Sequence, residues 1–175
     1  MPANLEFIKE EIGYDIASLK AEDIFSAKYN SYFVTAEWER ATTYPEVYMT
    51  DSSNNQLGGV HGGDAHYSGG QYVMKANTTF AEHNDTDTYV GWREAASYVD
   101  NLNKGMGFSF YVHNPYDSSK YTWMQGAAAG MVGSNFRGGK SFGLYENAVQ
   151  CNGLYFYHSS GGNIPYIGYK VWGIK

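Results

Sequence analysis

A single cysteine, Cys151, stands in the whole chain, which excludes an intrachain disulfide framework and a cysteine-rich zinc site. It falls in the apolar stretch NAVQCNGLYFY, where a buried, inert thiol is the favoured reading, and a lone Cys fits a chain made in a reducing cytoplasm. Basic runs are missing as well. The chain has 12 Lys and Arg against 18 Asp and Glu, for a formal net charge of -6, which argues against nucleic-acid backbone binding as its main task. No run approaches the ~20 apolar residues of a membrane-spanning helix. The opening MPANLEFIKEEIGYDI carries acidic residues and lacks the apolar core of a signal peptide.

What is abundant is Gly and Tyr, 21 and 17 residues, in a chain of which only 17% is charged. Tyr favours strands and Gly serves turns and bulges, so this mixture suits an all-β domain with broad contact surfaces. At 175 residues the chain is long enough to close one sizeable core.

Hydrophobic periodicity supports that class. In YFVTAEWE, Tyr32, Val34, Ala36 and Trp38 alternate with Thr35, Glu37 and Glu39. EVYMT (46–50), QYVMKAN (71–77), TDTYVGW (86–92), GFSFYVH (107–113), KYTWMQ (120–125), GLYFYH (153–158) and YIGYKVWG (166–173) also read as strands. NPYDSS, with Pro115 pre-setting a turn, separates two of them. Two short helical stretches are expected at most: SLKAEDIFSAKY (18–29), with Ser18 as N-cap, and REAASYVDNLNK (93–104). The expected fold is an all-β antiparallel β-sandwich, jelly-roll-like, over residues 31–175, with residues 1–30 as a distinct N-terminal segment that could serve as an attachment arm. In the last strand Ile167, Tyr169 and Val171 face one way and Lys170, Trp172 and Ile174 the other. Both faces hold large apolar residues, so both are expected to be covered.

Catalytic and metal signatures are weak. GGVHGGDAHYSGG (58–70) holds His61, Asp64 and His66, which are suitable ligand types, but at a spacing that neither a helix nor a strand converts into one site. The favoured reading is a glycine-rich loop, and no metal or cofactor is expected. Glu37 and Glu39 share a strand face about 6.6 Å apart, a separation that loosely suits glycoside hydrolysis. The polar face of a half-exposed strand explains the same pair more simply. No GxSxG elbow, Walker loop or calcium loop is present. The aromatics remain. Those beside turns, Tyr67, Tyr89, Tyr116 and Tyr166, suit stacking on sugars or anchoring a protein contact.

NLEFIK (4–9), DIFSAKY (23–29), NPYDSSKYT (114–122) and the terminal SSGGNIPYIGYKVWGIK, in that order, resemble small virion structural proteins of marine tailed phages, cyanophages especially. Matches at both ends and in the middle spread the resemblance over the whole chain. It departs from the pattern in an extra glycine in the SSGGN turn, in Pro165 and in Trp172, and the 58–70 loop has no counterpart. The resemblance implies a non-enzymatic capsid- or tail-associated building block with an antiparallel sandwich, assembled in the host bacterial cytoplasm and resident in the virion. It implies other virion proteins as partners and a homotrimer or other small homo-oligomer, with no nucleic acid and no membrane. Expected interface residues are Phe7, Ile8, Phe25, Tyr29, Tyr166, Trp172 and Ile174. Capsid decoration ranks first. A tail-fibre or tip module binding host glycans through His61, Asp64, His66, Tyr67, Tyr116 and Asp117 is the alternative, and a glycan-cleaving enzyme built on Glu37 comes third.

Overall fold

The computed structural model describes residues 4–39, 45–58, 67–75, 80–89, 92, 105–132, 135–158 and 162–175. Its elements are all strands: β1 (Leu5–Ile16), β2 (Ser18–Ala21), β3 (Ser31–Glu39), β4 (Pro45–Thr50), β5 (Tyr67–Lys75), β6 (Phe80–Tyr89), β7 (Met106–His113), β8 (Thr122–Val132), β9 (Asn135–Tyr145), β10 (Gly153–His158) and β11 (Ile164–Ile174). Among the described residues there is no helix. The strands form two antiparallel sheets packed together as a β-sandwich. One has eight strands in the order β1-β11-β3-β7-β8-β9-β5-β6, and the other has three in the order β2-β10-β4.

The expected alternations hold where they were clearest. Along β3 the even-numbered residues Tyr32, Val34, Ala36 and Trp38 are buried, and along β7 Met106, Phe108, Phe110 and Val112 are. These residues meet the small sheet. Phe156 of β10 lies edge-on to Phe108 of β7 and stacked on Tyr169 of β11. Trp92 bridges to Val47 of β4 and packs edge-on against Phe110. Cys151 is buried as expected, and burial pushes its thiol up to about 12.

Two expectations change. Residues 18–21 form a strand, because Leu19 and Ala21 pair with β10 and face the core at period two. That tertiary pairing outweighs a weak local helix preference. From Leu5 onward the N-terminal segment is woven into the sandwich, β1 edging the large sheet and β2 the small one. The expected helix at 93–104 lies outside the described residues.

The C-terminal strand is tied in on both sides, with β1 on one flank and β3 on the other. Ile167, Tyr169 and Val171 are core, whereas Trp172 and Ile174 are half-buried on the outer face. Past the strand, Lys175 donates its backbone N–H to Asn4 and forms a side-chain ion pair with Glu6, which is also paired with Lys28.

Candidate functional site: the outer face of the large sheet

Register decides which outward side chains stand side by side, since paired residues in neighbouring strands share a face. One cross-strand row runs Phe7, Trp172, Phe33, Tyr111, Gln125, Phe142 from β1 to β9. The row beside it runs Leu5, Ile174, Ser31, His113, Trp123, Leu144. Together they form an aromatic ridge. Ring centroids are 6.2 Å apart for Phe7–Trp172, 5.7 Å for Trp172–Phe33 and 5.0 Å for Phe33–Tyr111. His113 stacks on Tyr111, and its Nδ1 is 2.8 Å from Ser31 Oγ. Burial lowers its pKa and so favours the neutral ring. Leu5, Phe7, Tyr111, Trp123 and Phe142 are 40–53% exposed.

Four residues along the same strands the face is different. The row Ile12, Gly168, Glu37, Gly107, Ala129, Gly138 is nearly free of side-chain bulk and forms a trough across the sheet. Two depressions of about 370 and 330 Å³ lie along it and meet at Glu37 and Tyr166. The Tyr166 hydroxyl points to Glu37 Oε2 at 3.4 Å, and its ring lies 5.5 Å from that of Tyr14. Burial, then the Glu37 carboxylate, raises the Tyr166 pKa, which keeps the phenol a donor. A Cβ at Gly168 would stand 3.0 Å from the Tyr166 hydroxyl, so a side chain there would push that hydroxyl aside. Trp38 borders one depression only from beneath, since its side chain is buried on the inner face of the sheet.

The residues expected from sequence scatter. Phe7, Trp172 and Ile174 lie on the ridge side, and Tyr166 borders the trough. Ile8, at the β1 bulge, packs partly against the core. Phe25 and Tyr29 are corrections: both are core residues of the single chain. Phe25 sits 4.7 Å from the Tyr32 ring, and the Tyr29 ring occupies the space a Cβ at Gly173 would need. Tyr116 and Asp117 border a shallow hollow of about 240 Å³ beside Asn114. Asp117 holds its own turn, accepting from the Ser119 hydroxyl at 2.6 Å, pairing with Lys120 at 2.9 Å and accepting from the Ser119 N–H at 3.0 Å, contacts that keep its carboxyl well below the usual range. His61, Asp64 and His66 lie outside the described residues, and Tyr67 begins β5.

No model of a known protein family matches the chain, and comparison with curated proteins gives no match.

Among the described residues no group of three or more His, Cys, Asp or Glu is arranged to hold a metal ion. Tyr14, Phe33, Gly107, Trp123, Phe142 and Gly168 were not singled out by sequence. The available signal was the repeated outward parity of apolar residues on separate strands, and only the register turns that parity into neighbours.

Proposed function

We propose that this chain is a non-enzymatic structural protein of a phage virion, a capsid decoration or other accessory component acting through protein–protein contacts. The order of terminal and central motifs in the sequence supports the virion setting. The observation that carries the contact role is the aromatic ridge. Its five exposed side chains, about half accessible, present on the order of 500 Å² of apolar surface. That is the size of the largest apolar patch of a typical monomer, roughly 300–600 Å² and often functional, and more than half of the ~800 Å² each partner buries in a standard interface. The occupant is a second copy of this chain. The ridge is aromatic and carries no Lys, Arg, Asp or Glu in its two rows, which suits the uncharged centre of a contact between identical surfaces.

A density map of purified particles tests the assignment. The chain is expected in repeated positions on the shell, with Trp123 and Phe142 covered by a neighbouring copy. Its absence from purified particles, or a ridge left facing solvent there, would overturn the reading. The second reading, a tail-fibre or tip module binding host surface glycans, draws on the trough.

A further inference from the structure

β1 closes one end of the eight-stranded sheet. β11 pairs with one of its edges, and among the described residues no strand pairs with the other. Such an edge presents unpaired backbone N–H and C=O groups, a template for another strand. Native edges are commonly guarded by shortness, proline, lysine or a bulge. β1 has 12 residues, no proline and a single lysine, Lys9. Its bulge falls between Phe7 and Lys9, which leaves Lys9 to Ile16 in continuous register with β11. The two most exposed large apolar side chains among the described residues, Tyr14 at 68% and Ile12 at 56%, stand in that stretch.

We propose that this edge is a strand-addition site for β1 of a second copy, the two strands running antiparallel about a two-fold axis at Ile12. Charge complementarity selects both the occupant and the register. With Ile12 opposite Ile12 of the second copy, Gly13 stands opposite Glu11, Tyr14 opposite Glu10, and Asp15 opposite Lys9. Apolar meets apolar, a phenol hydroxyl meets a carboxylate, and an anion meets a cation. Moving the axis by one residue spoils the match. An axis at Glu11 sets Glu11 against Glu11, and an axis at Gly13 sets Glu11 against Asp15, like charges directly opposite in each case. Both members of the ion pair have capacity left for it. Lys9 Nζ donates to the Glu22 carbonyl at 3.2 Å and has two further protons, and Asp15 accepts from Asn163 at 3.0 Å with one oxygen. A single strand pair is smaller than a standard interface, so the contact is weak by itself and is best captured covalently.

This contact depends neither on the virion assignment nor on the ridge, and its test is run with the ridge removed. Ile12→Cys is introduced into the full chain carrying Trp123→Ser and Phe142→Ser. Directly opposite residues of an antiparallel pair lie about 4.5–5.5 Å apart, within disulfide reach, so mild oxidation should yield a covalent dimer joined at position 12. Tyr14→Cys in the same background is the control, because in this register its two copies stand about 13 Å apart. It should cross-link at least roughly tenfold more slowly, since a bond across that distance needs the backbone to move. Lys9→Glu added to Ile12→Cys should slow capture roughly threefold at low salt, as two ion pairs become two repulsions. If Ile12→Cys fails to fold, Glu10→Cys with Tyr14→Cys in one chain supplies the same test, since those positions face each other only between copies. Absence of a covalent dimer at millimolar chain would overturn the proposal. So would equal capture at positions 12 and 14, or a rate that Lys9→Glu leaves unchanged at low salt.

Discussion

The ridge and the trough are built on the same strands, four residues apart, yet one is aromatic and the other nearly bare. On β11 the pair is Trp172 and Gly168, on β3 Phe33 and Glu37, and on β7 Tyr111 and Gly107. At the rise of a strand the two rows lie about 13 Å apart. Between them runs a polar row of Lys170, Thr35 and Ser109. The inner face beneath is continuous core throughout. The two bands therefore owe nothing different to the scaffold. Their difference lies wholly in which outward positions carry bulk, and that is where a sheet can be specialised without altering its fold.

The largest effect is expected from removing the support the bands share. Phe110, fully buried between them on the inner face, contacts Trp92 and Phe108. Phe110→Ala should cost about 3–5 kcal/mol in chemical denaturation. Both bands should fail together, and loss of only one would show that they are supported separately.

Next comes a change confined to the ridge. Trp123→Ser with Phe142→Ser removes two exposed rings from the β8–β9 end of the proposed contact. Sedimentation velocity should show association weakened at least roughly 100-fold. The thermal midpoint of the monomer should stay where it was. A wild-type chain that stays monomeric at high concentration would remove the ridge as a self-contact.

A smaller effect separates the bands by pH. His113, held between Tyr111 and Ser31, has its pKa lowered by burial from the ordinary 6.5. The unfolded chain therefore takes up its proton first, so the stability from the neutral ring is present at neutral pH and is lost as pH falls below about 6.5 through the folded value. A charged ring on the ridge also opposes burial against a second copy. Association should weaken roughly tenfold from pH 7.5 to pH 5, and His113→Gln should flatten that profile. Equal pH dependence in both proteins would exclude His113 as its source.

The smallest effect concerns the clamp at the sheet edge. Hydrogen bonds from Lys175 and Lys28 lower the Glu6 carboxyl from 4.5 to about 2. A depressed carboxyl contributes stability above its unfolded pKa, and the contribution is lost as pH falls from about 4.5 to about 2. All three side chains are exposed, so Glu6→Gln should shift only the acid limb of the stability curve, and slightly. A shift at neutral pH of the size seen for a core residue would mean that the clamp does more than trim the edge.

Much of the sandwich could be read from the chain. Where one face of a strand is dry and the other wet, side-chain chemistry repeats at period two, and β3, β7 and β10 carry that record plainly. β1 was harder, because a sheet-edge strand with exposed Leu5, Phe7, Ile12 and Tyr14 has no clean alternation to read. Phe25 and Tyr29 show the matching limit. Their apolar character was visible, but whether an aromatic near a terminus faces a partner or its own core depends on what folds over it, here Tyr32 and Gly173.

Local composition was enough to establish an all-β chain, its strand faces and its buried thiol, because burial on one face leaves a mark every second residue. Neighbourhood was different. Phe7 meets Trp172, and Gly168 lines up with Gly107 through Glu37, only because antiparallel register brings distant segments to the same level. That register is set by the pairing of whole strands, so both the ridge and the trough belong to the tertiary structure.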